Sequence, residues 1–150
     1  MRNWIIVFIA FLIAVVPIGT TGAGRPCQRL PHFMTAKKPT PDLVYQCARF
    51  YGLRHPETVT AQSILETDHY RSELCLRHRN LFGLYDFKRK RYRTFRTWQE
   101  SVVAYKKLVQ SKYRSGNYYA FLRRLPYADD PLYVEKVRRI QRRLKVTGKR

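Results

Sequence analysis

The sequence predicts a mostly helical α+β domain with one short β-hairpin beside the end of a helix. Three observations carry this. Several segments open on a capping residue or a proline and continue as apolar stripes at helical spacing. A single pair of β-prone segments flanks a polar turn. The chain has 150 residues and is 45% hydrophobic, enough for one domain with its own core.

Thr40 before Pro41 is a helix start, with a capping hydroxyl and a proline at the first helical position. Leu43, Val44, Cys47 and Phe50 form its stripe, and Gly52 ends it. Pro56 opens a second helix whose buried side is Val59, Ile64 and Leu65, with Glu66, Thr67, Asp68 and His69 at its end. After Asn80, Leu81–Tyr85 and Arg91–Phe95 read as two strands around the turn Asp86–Lys90. Thr97-Trp98-Gln99-Glu100 is a capping box, with Thr97 as cap and Glu100 reaching back. Trp98, Val102, Tyr105 and Val109 continue that helix. Ser115-Gly116-Asn117 breaks the chain before a short helix, Tyr118–Leu125. Asp130 caps a last helix at Pro131, with Tyr133, Val137, Ile140 and Leu144 on one face and Lys136, Arg138, Arg139, Arg142, Arg143 and Lys145 on the other.

The 30 Lys and Arg against 10 Asp and Glu give a formal charge of +20, which attracts polyanions. The N-terminus narrows the choice among them. Arg2, the apolar run Trp4–Val16 and the small residues Thr20–Gly24 have the layout of a secretory signal peptide, so residues 1–24 are expected to direct export to the periplasm or cell surface. An uncleaved membrane anchor is the alternative. Export makes nucleic acid a poor partner for the charge, and an anionic envelope surface a better one. Residues 25–39, with Pro26, Pro31 and Pro39, read as a linker, and 40–146 as the domain. Of Cys27, Cys47 and Cys75, two could pair outside the cytoplasm, or Cys47 and Cys75 could be small buried hydrophobes. No zinc-type spacing and no phosphate-binding Gly-rich loop is present, so no metal or cofactor is expected.

Glu66 is the residue best placed for chemistry. The C-terminus of a helix carries partial negative charge, and burial beside Leu65 and Phe82 would add desolvation. Both raise a carboxyl pKa, and a carboxylic acid still protonated near neutral pH can protonate a glycosidic oxygen. By position alone, a solvated Glu at a helix end is the commoner case.

Three words shift that balance. Ala61-Gln62-Ser63-Ile64-Leu65-Glu66-Thr67, Asn80-Leu81-Phe82-Gly83-Leu84 and Tyr127-Ala128-Asp129-Asp130-Pro131-Leu132-Tyr133 occur in this order. Together they closely resemble the glucosaminidase domain of glycoside hydrolase family 73, found in flagellar peptidoglycan hydrolases and cell-wall autolysins, over about residues 40 to 140. The resemblance implies a lysozyme-like fold and hydrolysis of the β-1,4 bond on the reducing side of N-acetylglucosamine in peptidoglycan. It also implies Glu66 as general acid, Asn80, Leu81, Phe82 and Gly83 as cleft lining, and Tyr127 beside the sugar. Tyr85 and Trp98, interleaved with the basic hairpin tip, are further candidates for substrate contact. Core packing is the ordinary alternative for Leu81, Phe82 and Tyr127, and turn formation for Asn80.

The chain departs from the family pattern twice. Asp68 stands where the family usually has Gly; Asp tolerates a left-handed backbone there, and its charge would raise the Glu66 pKa. The hairpin tip, Phe87–Arg91, is short and basic and lacks the second acid that many glycosidases use. Asp86, Asp68 and Glu100 are the candidates for that role, though capping accounts for Glu100. Two other functions compete with a glucosaminidase: a lytic transglycosylase, which works with one Glu, and a non-catalytic cationic wall-binding module. Peptidoglycan glycan strands are the expected partner and a monomer the expected state.

Overall fold

A computed structural model describes residues 31–125 and 130–146. Cys27, Tyr127 and the N-terminal segment read as a signal lie outside the described residues. The elements are α1 (His32–Thr35), α2 (Pro41–Phe50), α3 (Pro56–Glu66), α4 (Glu73–Leu76), β1 (Tyr85–Asp86), β2 (Arg91–Tyr92), α5 (Trp98–Leu108), α6 (Tyr118–Arg123) and α7 (Tyr133–Arg143). The domain is α+β, mostly α, with one two-stranded antiparallel sheet in which Tyr85 faces Tyr92 and Asp86 faces Arg91.

The helix starts follow their caps. Thr40 Oγ1 accepts from the Leu43 N–H at 3.3 Å, with Pro41 at the first helical position. Thr97 Oγ1 accepts from the Glu100 N–H at 3.3 Å. Glu100 reaches back one residue further than a standard capping box, taking the Arg96 N–H at 2.9 Å rather than that of Thr97. Asp130 is not the cap expected. It forms an Asx turn, Oδ1 accepting from the Leu132 N–H at 2.9 Å, and α7 starts at Tyr133.

α3 is the central helix, packed against α2 on one side and α7 on the other. Every residue from Thr58 to Ile64 is buried, polar ones included. The core around it joins Val44, Cys47, Val59, Leu81, Phe82, Trp98, Val102, Tyr105, Leu122 and Val137. Cys47 and Cys75 are free and buried, so they behave as small hydrophobes; burial pushes the Cys47 thiol up to about 12.

Two expectations about local structure are corrected. Part of the stretch 25–39 read as a linker is packed on the domain: Phe33 of α1 is in the core, and the Trp98 indole N–H and the Gln99 amide both donate to the Ala36 carbonyl. The two strands are also shorter than predicted. Leu81–Leu84 is a buried loop rather than a strand, because the Asn80 side chain takes over the hydrogen bonds that a neighbouring strand would have supplied.

Candidate active site

Glu66 is the last residue of α3 and is half-buried. Its Oε1 accepts from the Tyr133 hydroxyl of α7 at 2.9 Å. On the other side lies Gly83, where a Cβ would come 3.2 Å from Oε2. Among the described residues the hydrogen bond from Tyr133 grips Oε1, and none donates to Oε2. Burial raises its pKa, and the Tyr133 hydroxyl pulls the other way by favouring the anion. Asp68 is not a cause: its carboxylate turns outward to His69 at 3.6 Å and Arg71 at 3.3 Å.

The backbone past Glu66 makes a left-handed turn. Asp68, His69 and Tyr70 all have positive φ, at 45°, 57° and 65°. Asp68 thus does occupy a left-handed position, the conformation that glycine would favour. The N–H groups of Asp68 and His69 return to the Leu65 and Ile64 carbonyls, closing the helix end. Thr67 and Ser63 anchor the turn from inside: Thr67 Oγ1 accepts from the Tyr70 N–H, and Ser63 Oγ lies 3.0 Å from the Tyr70 hydroxyl.

The loop facing Glu66 is built by Asn80. Fully buried, it donates from Nδ2 to the carbonyls of Leu84 (2.9 Å) and Arg93 (3.0 Å), and accepts at Oδ1 from the N–H groups of Phe82 (3.4 Å) and Leu84 (3.0 Å). This curls residues 80–84 so that Gly83, at φ 61°, presents its bare backbone to the carboxyl. Gly83→Ala is therefore expected to lose twice. Left-handed backbone costs alanine about 1–2 kcal/mol, and its Cβ pushes Glu66 aside. Activity should fall on the order of tenfold, more than the drop in melting temperature explains, as steady-state kinetics beside thermal melting would show.

A groove of about 320 Å³ opens at Gly83, between the hairpin side chains Tyr85, Phe87 and Arg93 and the α5 end with Leu108, Val109, Lys112 and Leu125. Tyr85 and Phe87 are exposed and edge-on to each other, which suits the apolar face of a sugar ring. A larger depression of about 540 Å³ is lined by Arg54, Lys106, Lys107 and Tyr113 and does not include Gly83. The smaller groove is the better candidate because Gly83, which lines it, is the residue that lies against Glu66.

Other expected site residues are placed elsewhere or otherwise engaged. Trp98, 2% exposed, packs in the core with its N–H satisfied by Ala36, and so offers no face to a ligand. Phe82, 1% exposed, stacks on Tyr105 with ring centroids 4.3 Å apart. Both belong to the core and correct the expectation of substrate contact; Asn80 likewise spends its amide on the loop. Asp86 ties the hairpin tip: its Oδ1 accepts from the Lys88 and Arg89 N–H groups, and the Arg89 bond, then the Arg93 guanidinium, hold its carboxyl low. Glu100 caps α5. Each of the three candidate second acids is thus occupied in a turn, a cap or a surface ion pair.

Sequence reasoning missed Tyr133 as the partner of Glu66, and Gln62, which donates to Tyr133 at 3.1 Å. Two signals were available. A tyrosine on the buried stripe of α7 must satisfy its hydroxyl. Gln62 stands four residues before Glu66, on the same helix face.

The model of the glucosaminidase family, described as mannosyl-glycoprotein endo-beta-N-acetylglucosaminidase, matches residues 42–146. No curated protein matches the chain.

Proposed function

The chain belongs to the glucosaminidase family, a family of glycoside hydrolases, and from that premise we propose that it cleaves the β-1,4 bond on the reducing side of N-acetylglucosamine in peptidoglycan, with Glu66 as general acid. The observation that carries the reading is the environment of Glu66: burial raises its pKa, the Tyr133 hydroxyl occupies Oε1, and Oε2 is left for the proton on the side of Gly83. In the reaction that proton passes to the glycosidic oxygen as the C1–O bond breaks, leaving positive charge on the sugar ring. Water then attacks C1, directly or after the substrate's own acetamide oxygen has closed on it, and the proton that water loses returns to the Glu66 carboxylate. Tyr85 and Phe87 stack on the sugars, and the positive charge holds the protein to the anionic envelope after export directed by residues 1–24.

A lytic transglycosylase is the second reading. It is favoured by the engagement of Asp86, Asp68 and Glu100, which leaves none of these three candidates free to act as a second acid beside Glu66. Digestion of purified peptidoglycan, followed by borohydride reduction and mass spectrometry, separates the two. Reduced N-acetylglucosamine ends are the expected result. Anhydro-muramic ends would reassign the reaction, and intact glycan strands would leave a cationic binding module.

A further inference from the structure

The core holds a line of hydrogen bonds that starts far from Glu66 in the chain and ends on it. Gln110, just past α5, is locked by main chain on both sides of its amide. The Arg54 N–H donates to Oε1 at 2.8 Å, and Nε2 donates to the Arg54 carbonyl at 2.7 Å. The Arg54 N–H can only donate, so it identifies which end of the Gln110 amide is oxygen. Nε2 also donates to the Tyr118 hydroxyl oxygen at 3.1 Å. Tyr118 lies 3.1 Å from the Tyr105 hydroxyl, and Tyr105 donates to Gln62 Oε1 at 2.8 Å. The single Tyr105 proton is therefore spent, and Tyr118 must be the donor between the two tyrosines. Gln62 Nε2 donates to Tyr133, and Tyr133 donates to Glu66.

From the Gln110–Tyr118 bond to Glu66, each group donates to the next in the same direction. We propose that Gln62, Tyr105, Tyr118 and Gln110 are positioning residues, forming a one-way chain of donors, anchored on the Arg54 backbone, that holds the Tyr133 hydroxyl proton on Glu66 Oε1 and leaves Oε2 to face the substrate. The proposal rests on the reading of Glu66 as the acid. Gln62 and Tyr105 are fully buried or nearly so, and Tyr118 and Gln110 are buried, so water does not compete for these bonds. Burial also pushes the Tyr118 phenol up, keeping it a neutral donor. Each bond polarises the next, so Tyr133 donates more strongly than an isolated phenol. Among the described residues, the groups facing Glu66 from its neighbours are Tyr133 from α7 and the Gly83 backbone from the 80–84 loop. Asp68 turns to His69 and Arg71, and Tyr70 turns to Ser63.

Tyrosine-to-phenylalanine variants remove one link each and keep the ring. The readout is the titration of the Glu66 carboxyl by ¹³C NMR on the full chain, assigned by its disappearance in Glu66→Gln, beside the alkaline limb of the kcat/KM profile. Loss of the donor destabilises the anion, so the midpoint should move to higher pH. The shift should be largest for Tyr133→Phe, smaller for Tyr105→Phe and smaller again, but resolvable, for Tyr118→Phe. Tyr119→Phe is the control: it removes a phenol that bonds Gln141 outside the chain and should leave the midpoint in place. If Tyr105→Phe does not fold, Tyr118→Phe carries the same test. A midpoint that moves in Tyr133→Phe but stays fixed in the folded distal variants, with only melting temperature lowered, overturns the chain. Persistent turnover by Glu66→Gln would instead overturn the catalytic reading, while the titration still reports on the chain.

Discussion

Glu66→Gln should lose turnover by roughly 10²- to 10⁴-fold and gain stability at neutral pH. The loss is what a positioned general acid contributes. Gln keeps the shape and can still accept from Tyr133 at its oxygen, so binding of glycan strands should survive while cleavage does not. The gain follows from the same burial that makes Glu66 an acid. Its folded-state pKa is raised above the unfolded value of about 4.3, so the folded protein holds this proton more tightly than the unfolded chain does. Below the unfolded value both states are protonated and the wild type carries no penalty. As pH rises through the window from the unfolded to the folded pKa, the unfolded chain ionises first and the wild type loses stability. Above that window the loss is complete. Thermal melts of wild type and Glu66→Gln should therefore converge in acid and separate as pH rises, with the mutant higher. Curves that stay parallel would mean that Glu66 titrates as an exposed carboxyl and is not adapted as an acid. The wild-type activity should fall at the upper end of that window, where the carboxyl of the folded protein itself ionises and the two melting curves stop diverging.

How much of this was legible follows from which interactions are local. Thr40-Pro41, Pro56 and Thr97 mark helix starts through contacts within four residues, and α2, α3 and α5 begin where those residues place them. Glu66 at the end of an apolar helix was visible for the same reason. α1 and α4 were not, since four residues have too little intrinsic helicity to announce themselves and α1 is fixed by Trp98 and Gln99 from more than 60 positions away. Leu81–Leu84 has strand composition, yet most of its backbone partners are side chains, Asn80 above all and Ser101 for the Leu81 N–H, a substitution that β-propensity cannot register. Trp98, beside the basic tip, and Phe82, cleft lining by the family resemblance, are both core, because aromatics serve cores and cleft walls equally well and only burial separates the two uses. The partner of Glu66 was hidden by distance: Tyr133 stands 67 positions along the chain, and only the packing of α7 on α3 brings them together.

Asn80→Ala tests whether the site is held together by one amide, and its expected effect on the fold is the largest of any single polar change near Glu66. The substitution removes bonds to the Leu84 and Arg93 carbonyls and the Phe82 and Leu84 N–H groups, all from a side chain with no solvent exposure. Each buried backbone group left unpaired costs about 1–3 kcal/mol, and partial relaxation of the loop brings the total to about 3 kcal/mol. For a domain of this size that is a fall in melting temperature of roughly 10 °C or more. Asn80→Asp should be nearly as damaging, because a carboxylate keeps the two acceptor bonds but has no N–H for the Leu84 and Arg93 carbonyls. The structural loss carries a functional one. Leu84 and Arg93 join the loop to the hairpin, with the Arg93 N–H donating to the Leu84 carbonyl at 2.9 Å. Once Asn80 no longer clamps both, Gly83 is free to drift from Oε2, and Tyr85 and Phe87 shift with the hairpin they sit on. Activity in Asn80→Ala should therefore fall even at temperatures where the variant is fully folded, and with a raised KM, because the sugar-stacking wall and the acid no longer keep a fixed separation. A variant that melts lower but retains wild-type kinetics while folded would show that the 80–84 loop is scaffold alone and that the glycan is gripped elsewhere.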